Sequence, residues 1–289
     1  MITVLGAGGN TGGRVVRRLR AAGEPTRAVG RDAARLADAV GHGAEPVVGD
    51  ITDRSFLAEA FRGAEAAYVL MPLDLAAAGY RPQQEQVGTA IAAALGDAGV
   101  PRVVALSALG ADVEHGTGFL ETLYEQEQRL AALDAAVTVL RPGVFFESFL
   151  PVLPQMRATG VYRDTIDPDV ALPMLATADI GDAAAGALLD TAASGVRELH
   201  GPEDLTMRDA TARLGEVLGI PSRYERAPDG EVRAALVGAG LPADVVEEQL
   251  AMFAAFNRGD AQSRTGRSAA TTTPTTLEQW ARTPARTPS

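Results

Sequence analysis

The sequence predicts an α/β fold, a doubly wound parallel sheet followed by a smaller, mainly helical C-terminal substrate lobe. Three observations support this. A strand-like run, Ile2–Leu5, leads into a turn with five glycines and then into a helical pattern. Strand patterns alternate with helical patterns six times within the first 141 residues, as expected for parallel strands with right-handed crossovers. The chain has 289 residues, of which 46% are hydrophobic, enough for one large domain and a lobe. Together these features indicate a sheet of the Rossmann type.

The glycine turn lies between the first strand and the first helix. Its spacing is G-x-x-G-x-x-G, in which Gly6 allows a tight turn and Gly9 lets a pyrophosphate approach the backbone. Gly12 lets the helix pack close to the strand. Free N–H groups and the helix dipole favour an anion at this position. The turn therefore predicts a nucleotide site, with a purely structural turn as the alternative.

The remaining elements of the first domain follow from apolar periodicity. The fourth strand is apolar throughout, as a strand buried on both faces should be. The predicted strands cover 26–29, 45–49, 66–70, 102–106 and 137–140, and the predicted helices cover 14–22, 54–61, 82–98 and about 119–133.

Residues after the second and third strands bear on the cofactor. Arg31 lies where dinucleotide folds distinguish NAD from NADP, and an arginine there suits a 2′-phosphate. Arg35 is a possible helper, whereas Asp32 opposes this interpretation, and a solvated loop arginine is the alternative. Asp50 can accept from the adenine amino group or cap the helix at 54–61. We therefore expect NADP(H) as the preferred cofactor, with NAD(H) possible.

The C-terminal half is less regular. We assign residues 1–151 to the nucleotide-binding domain and expect 176–195 to return to it. The smaller lobe is expected to comprise 152–175, which is partly loop-rich, and 196–260, and to close a substrate cleft. Residues 261–289 are expected to be partly disordered, with one or two helical turns at 276–281 packed down by Trp280.

Composition excludes several functional classes. The formal net charge of −11 and the lack of a basic block argue against nucleic-acid binding. We find no apolar run of membrane-spanning length and no leader, so a cytoplasmic protein is expected. There is no cysteine, and the three histidines share no metal-ligand spacing, so no metal is expected. All 26 basic residues are arginine, which excludes Schiff-base chemistry.

Several segments resemble one family in the same order along the chain. Residues 6–12, G-A-G-G-N-T-G, resemble the G-A-T-G-N-T-G fingerprint of NmrA-like proteins, atypical members of the short-chain dehydrogenase/reductase superfamily. The resemblance extends over nearly the whole chain. The other similar segments are G-D-I at 49–51, A-G-V-P-R-V-V-A-L-S at 98–107, L-R-P-G-V-F-F-E-S at 140–148, A-D-I-G-D at 178–182, H-G-P-E-D-L-T at 200–206 and P-T-T-L-E-Q-W at 274–280.

The resemblance implies a set of cofactor contacts. Asn10 and Thr11 would reach the pyrophosphate and Arg31 the 2′-phosphate. Two departures are present: Gly8 replaces a threonine, which should be harmless, and Ser148 replaces an asparagine, which leaves a substrate contact in doubt. The remaining contacts would be Asp50 and Ile51 at the adenine, Leu70, Met71, Pro72 and Ser107 along the ribose and nicotinamide, and Pro142, Gly143 and Val144 facing the nicotinamide ring.

The catalytic residues are harder to predict. Reductases of the wider superfamily use a tyrosine and a lysine four residues later, and this chain has Tyr124 and Gln128. Glutamine can bind a ribose hydroxyl but cannot stabilise a phenolate. Tyr124 and the loop residue His115 are the two candidate proton donors, and a packing tyrosine and a solvent-facing histidine are the alternatives.

An aromatic cluster completes the predicted site. Phe145, Phe146 and Phe149 would wall a pocket for a flat, apolar substrate, or form ordinary core. We therefore expect an NADPH-dependent reductase of a quinone, enone or polyketide-type carbonyl. The alternative is a non-catalytic NAD(P)-binding redox sensor that acts through a protein partner.

Overall fold

The structure is a computed structural model that describes residues 1–76 and 78–283. Its strands are β1 (Ile2–Leu5), β2 (Thr26–Gly30), β3 (Glu45–Val48), β4 (Ala66–Leu70), β5 (Arg102–Leu106), β6 (Ala136–Pro142), β7 (Val144–Phe145), β8 (Val161–Asp164), β9 (Ala171–Leu175), β10 (Gly195–Leu199), β11 (Asp204–Thr206) and β12 (Arg223–Arg226). Its α-helices are α1 (Asn10–Ala21), α2 (Ala37–Gly41), α3 (Arg54–Phe61), α4 (Tyr80–Ala98), α5 (Phe119–Ala131), α6 (Leu153–Thr159), α7 (Thr177–Leu189), α8 (Met207–Leu218), α9 (Asp229–Gly238), α10 (Ala243–Arg258) and α11 (Leu277–Arg282).

The main sheet is parallel and has seven strands in the order β10-β6-β5-β4-β1-β2-β3. Ile2 of β1 pairs with Thr26 of β2 on one side and with Ala66 of β4 on the other. The chain builds outward from β1 in one direction and then, from β4, in the other. A reversal of this kind opens a crevice at the carboxyl ends of the strands. The predicted doubly wound Rossmann-type fold is confirmed.

Helices cover both faces of this sheet. On one face, Val15 and Leu19 of α1 pack with Ile180 of α7 in a buried cluster. On the other face, Phe61 of α3 packs with Ile91 of α4. Burial of apolar side chains on both faces explains the continuous hydrophobic runs that predicted the strands.

An ion-paired carboxylate fastens α1 to α7. Asp182 accepts two hydrogen bonds from Arg14 (2.5 and 2.8 Å) and two from Arg18 (2.7 and 2.8 Å). Burial opposes the ionisation of Asp182, but the arginine hydrogen bonds lower its pKa to about 2. Gly181 also allows close approach, since a Cβ there would lie 2.5 Å from Cβ of Arg14. The returning helix therefore fixes the segment that follows the glycine turn.

The first helix begins earlier than the sequence predicts, at Asn10 instead of residue 14. Two glycines, Gly12 and Gly13, lie in its first turn, which is why helical propensity did not reveal the start. A Cβ on Gly12 would lie only 2.3 Å from the carbonyl oxygen of Gly6. The start of this helix therefore packs closely against the end of the first strand, as predicted.

The C-terminal lobe contains more strand than expected. Two small sheets, β11-β9-β7 and β12-β8, accompany α6 and the helices from α8 onward. The loop-rich expectation for 157–175 is corrected by β8 and β9, which lie within it. Phe146, Met156 and Leu214 belong to one buried cluster that forms the lobe's own core.

One segment assigned to the lobe joins the main sheet. The sequence analysis placed residues 196–199 in the lobe, but β10 pairs in parallel with β6, with Val196 opposite Val139. The first three residues of β10 are exposed, so this edge strand lacks the apolar run of a central strand. Because its pattern is weak, the segment expected to return to the main sheet, 176–195, was ended before most of β10.

Residues after α10 are tied to this edge strand. The Glu198 carboxylate accepts from the backbone N–H groups of Arg264 (2.9 Å) and Thr265 (3.2 Å) and from the hydroxyl of Ser263. These bonds lower the pKa of Glu198 to about 2 even though burial opposes its ionisation. Of the segment expected to be partly disordered, residues 284–289 lie outside the described residues.

A capping box at Thr276 starts α11. Among the described helices, none has both the length and the apolar character needed to cross a bilayer.

Candidate functional site

The glycine turn sits at the topological reversal of the sheet. Gly6 has φ +69°, a left-handed conformation that favours glycine. Gly9 is the N-cap of α1 and supplies no side-chain cap. In the described part of the chain, no acceptor binds the N–H groups of Asn10, Thr11 and Gly12. These N–H groups and the helix dipole form a site for a phosphate.

The Thr11 side chain points away from that site. Its hydroxyl accepts a hydrogen bond of 3.0 Å from the phenol of Tyr68, and both side chains are buried. Burial raises the pKa of Tyr68 well above its usual range. Thr11 can therefore offer a phosphate its backbone N–H, while its side chain locks the first turn of α1 onto β4.

Gly8 is required by a close contact. A Cβ at this position would lie 2.9 Å from the carbonyl oxygen and 3.0 Å from Cβ of Arg35. The segment Ala34–Leu36 is thereby pressed against the glycine turn and brings Arg35 beside it. Gly8 replaces the family's threonine, a change that was expected to be harmless. Without a side chain, this residue leaves room for the contact with Arg35.

The predicted adenine and 2′-phosphate end is solvent-exposed and charged. The Arg31 side chain is 60% exposed and lies 4.0 Å from Asp74. Asp50 accepts from the backbone N–H of Thr52 at 2.9 Å, and this bond and the nearby Arg31 lower its pKa. Asp53 caps α3, accepting from Ser55 at 2.8 Å, which corrects the alternative that Asp50 is the cap.

Three predicted residues lie at the end of β4 and just after it. A Cβ on Gly6 would lie 3.0 Å from Cδ2 of Leu70, so the end of β4 borders the turn directly. Pro72 accepts from the Gln84 side chain at 2.9 Å, which holds Leu70, Met71 and Pro72 in place. Ile51, after β3, is buried.

The predicted nicotinamide end contains a buried polar network. Ser107 follows β5 and donates its hydroxyl proton to Glu127 of α5 at 2.5 Å. Arg141 of β6 donates to both oxygens of Glu127 at 2.9 and 2.5 Å, which raises the pKa of Arg141. All three side chains are largely buried. The proton of the Ser107 hydroxyl is therefore engaged, and its oxygen can act only as an acceptor toward a ligand.

The chain next to this network is packed backbone to backbone. Gly143 donates to the carbonyl of Leu199 at 3.1 Å, and a Cβ on it would lie 2.2 Å from the carbonyl of Pro173. Pro142 accepts from the N–H of Leu109 at 2.8 Å. Pro142, Gly143 and Val144 thus form a rigid crossing between the main sheet and the lobe.

The two candidate proton donors differ in placement. Tyr124 is half-buried on α5, one turn before Glu127 and on the same face of the helix. Gln128 is exposed. His115 is 81% exposed and lies 3.6 Å from Glu114. Tyr124 thus lies one helical turn from the buried Glu127, whereas His115 is exposed to solvent.

The three phenylalanines do not form one wall. Phe146 and Phe149 are 1% and 2% exposed and belong to the lobe core. Their rings lie 5.7 Å from Trp280 and 6.0 Å from Tyr162, respectively. Phe145 is half-buried against the core of the main sheet. The ordinary-core alternative therefore describes Phe146 and Phe149.

A cavity of about 880 Å³ joins the glycine turn to the lobe. Glu147 lies on its wall and accepts from the N–H of Thr177 (3.1 Å), the hydroxyl of Thr177 (2.7 Å) and the indole N–H of Trp280 (3.1 Å). The lining includes Gly8, Gly9 and Asn10 at the turn, Leu150, Leu153, Leu214 and Leu218 in the lobe, and Arg14, Arg17, Arg35, Arg157 and Arg282.

The lobe side of this cavity could not be predicted from the sequence. Leu150, Leu153 and Arg157 follow the spacing of one helical face, which is a signal for burial and not for a ligand. Their convergence with α8 and α11 depends on tertiary packing. The cavity does not reach the predicted nicotinamide contacts at Ser107 and 142–144.

The chain is similar to known reductases of similar length. One, from Streptomyces griseus subsp. griseus, is a (4-alkanoyl-5-oxo-2,5-dihydrofuran-3-yl)methyl phosphate reductase, 34% identical over 291 residues that cover 99% of this chain and 94% of the relative. An NAD(P)H azoreductase of Xenophilus azovorans is 26% identical, covering 88% of this chain and 86% of the relative.

A solved structure matches the whole fold. The NADPH complex of the quinone oxidoreductase QOR2 from Escherichia coli has a TM-score of 0.81 and 25% identity, covering 97% of this chain and 98% of that one. Its bound NADPH agrees with the predicted cofactor. The model of the NmrA-like family matches residues 1–281. The chain therefore belongs to the NmrA-like family, as its sequence motifs predicted.

Proposed function

We propose that this protein is an NADPH-dependent reductase of conjugated acceptors, such as an enone, an unsaturated lactone or a quinone. The observation that carries the proposal is the hydrogen bond from Ser107 to Glu127. Reduction of a simple ketone needs an acid that protonates the carbonyl oxygen. The Ser107 hydroxyl donates its hydrogen bond to Glu127. The superfamily lysine is replaced by Gln128, which is exposed.

A conjugated acceptor removes the need for that acid. Bound NADPH supplies a hydride to the carbon β to the carbonyl and is oxidised to NADP⁺. The alkene electron pair moves to the carbonyl oxygen, and water supplies the proton that completes the α-carbon. The cleft then has to hold the acceptor in one orientation. The rigid backbone crossing at Gly143 favours a fixed orientation.

The residues at the other end of the crevice fit the cofactor. Three free N–H groups at the start of α1 suit the pyrophosphate, and glycine at positions 8 and 12 keeps side chains out of the turn. Arg31 and Arg35, both exposed beside the turn, suit a 2′-phosphate. These features support NADP(H) over NAD(H).

The relatives point in the same direction. The substrate in the name of the Streptomyces griseus relative is a dihydrofuranone whose ring double bond is conjugated with a carbonyl. The solved relative is a quinone oxidoreductase. Both names describe conjugated acceptors. Such acceptors can accept a hydride without a protein acid that protonates the carbonyl oxygen.

The alternative is a redox sensor that binds NAD(P) without turnover. The exposed Gln128 favours it, because the charged partner of Tyr124 is missing. The names of the relatives, which are all reductases, support the reductase over the sensor.

The first test measures cofactor affinity and turnover. We expect Arg31→Gln to weaken NADPH binding roughly tenfold while leaving NADH binding unchanged, because one charge-assisted contact is lost. Arg62→Gln, which changes an exposed arginine paired with Glu59, serves as the control. NADPH oxidation is then followed with a quinone, an acyl butenolide and a simple ketone. Turnover of the ketone alone would contradict the proposal, and tight NADPH binding with no turnover would favour the sensor.

The same assay ranks the proton-donor candidates. We expect Tyr124→Phe to lower kcat less than about tenfold and His115→Ala to leave it unchanged, because an essential general acid contributes about a hundredfold or more. A loss of a hundredfold or more in Tyr124→Phe would instead assign Tyr124 as the acid.

A further inference from the structure

We propose that the lobe end of the cavity holds an anionic phosphate group of the acceptor, with Arg157 and Arg282 as its ligands. The proposal rests on the reductase function and deepens it. It names the substrate class as a phosphorylated, conjugated acceptor with an aliphatic part.

Arginines without a carboxylate partner lie at this end of the cavity. Arg14 and Arg17 also line it, but their guanidinium groups pair with Asp182 and Asp38. Within residues 1–76 and 78–283, Arg157 and Arg282 form no ion pair and are exposed. A chain with a formal net charge of −11 has carboxylates available for surface arginines. Two arginines left without one on a shared cavity wall indicate an external anion.

The nearest opposing charge is already engaged. Glu147 is the carboxylate on the lobe wall, and both its oxygens accept hydrogen bonds from Thr177 and one also from Trp280. Its position is thereby fixed by α7 and α11 and it is not paired with either arginine. Guanidinium groups, which bind phosphate oxygens through paired N–H donors, remain available to the ligand.

Apolar walls lead up to the two arginines. Leu150 and Leu153 lie one turn apart, and Arg157 follows on α6 one turn later, so that all three face the cavity. Leu214 and Leu218, one turn apart on α8, line it as well. A cavity with aliphatic walls and terminal cations suits a molecule with an alkyl chain and an anionic end.

The cofactor does not account for these arginines. Arg31 and Arg35 flank the glycine turn, where the 2′-phosphate is proposed to bind, whereas Arg157 and Arg282 belong to α6 and α11 of the lobe. The named substrate of the Streptomyces griseus relative has both an alkanoyl group and a phosphate. A phosphate anchored on the lobe would fix one end of the acceptor.

The experiment compares a 4-alkanoyl-butenolide methyl phosphate with the corresponding free alcohol. We expect the wild type to prefer the phosphate ester, and Arg157→Gln and Arg282→Gln each to lower its kcat/KM roughly tenfold. The alcohol's kcat/KM and the Kd for NADPH should not change. Arg223→Gln, which alters a lobe arginine outside the cavity, is the matched control.

Each other outcome has a distinct meaning. Equal turnover of ester and alcohol by the wild type would overturn the phosphate site and leave the reductase function intact. Weaker NADPH binding in the two variants would assign the arginines to the cofactor and also overturn it. If no acceptor is reduced, calorimetric titration of the phosphate ester in the presence of NADP⁺ decides the matter. Binding that is lost in the double variant supports the site without the reductase function, and no binding to the wild type overturns it.

Discussion

The glycine turn and the Ser107 network lie at the carboxyl ends of two strands of the same sheet, β1 and β5, yet their polar groups are used in opposite ways. At the glycine turn, the N–H groups of Asn10, Thr11 and Gly12 have no acceptor among the described residues. At Ser107, hydroxyl, carboxylate and guanidinium are bonded to one another. The first region is organised to bind something external, and the second is already complete.

This difference teaches how to interpret polarity at a cleft. A polar side chain at a strand end is a candidate ligand contact only if its hydrogen bonds are not already made within the protein. By that criterion, the glycine turn is the proposed cofactor site, and Ser107 belongs to a buried framework at the proposed nicotinamide end. Three substitutions test the contrast.

The largest effect is expected at the network. Arg141→Met leaves Glu127 buried without its cation, so we expect the free energy of unfolding to fall by about 3 to 5 kcal/mol in urea titrations. A double variant, Arg141→Met with Glu127→Leu, should recover most of that loss. Arg223→Met, at an exposed ion pair with Glu225, should change stability little. Unchanged stability with lost NADPH binding would show that the network is a ligand site.

The next effect is expected at the glycine turn. Gly12→Ala places a Cβ 2.3 Å from the Gly6 carbonyl oxygen, so the turn must shift. We expect a loss of about 2 to 3 kcal/mol in unfolding free energy together with weaker NADPH binding. Gly186→Ala is the control, because among the described residues no atom outside its own helix backbone and its chain neighbours lies within 4 Å of its Cβ position in α7. It should raise stability by about 0.5 to 1 kcal/mol. If the two variants behave alike, the close contact is not the cause.

The smallest effect is expected behind the turn, at Asp182. Its pKa of about 2 lies below the ordinary 3.8. Ionised Asp182 therefore adds stability that is present above about pH 4 and lost as pH falls toward 2. Asp182→Asn should cost about 2 kcal/mol at pH 7, and the gap to the wild type should narrow below pH 4.

NADPH binding should survive in Asp182→Asn, since its carboxylate faces α1 from α7 and not the crevice. Asp97→Asn, at a surface pair with Arg54, should have no measurable effect on stability. A gap between Asp182→Asn and the wild type that stays constant from pH 7 to pH 3 would contradict the assigned ion pairs.

Much of the first domain could be predicted because its signals are local. The fourth strand, Ala66–Leu70, is an uninterrupted apolar run, and α3, Arg54–Phe61, has a clear periodicity; both have the predicted bounds. The family resemblance rests on short motifs such as the one at 6–12. Such signals require no knowledge of which elements meet in space.

The rest depends on tertiary contacts. Glu127 and Arg141 lie on a helix and a strand, and neither residue by itself indicates that they pair. Arg157 and Arg282 meet at one cavity only because α6 and α11 pack in the same lobe. β10 was assigned to the lobe because an edge strand with exposed residues lacks a strong pattern. In each case the sequence does not show which residue or element is the partner in space.

The wall of the cavity also contains an optical probe. Trp280 is the only tryptophan of the chain, its ring packs near Phe146, and its indole N–H is bonded to Glu147. Indole emission from this protein therefore comes from one place, between the glycine turn and the lobe. A reduced nicotinamide absorbs at the wavelengths where indole emits, so energy transfer would report its binding, and quenching would report a ligand entering the lobe. The unmodified protein can be titrated by its own fluorescence, without a label.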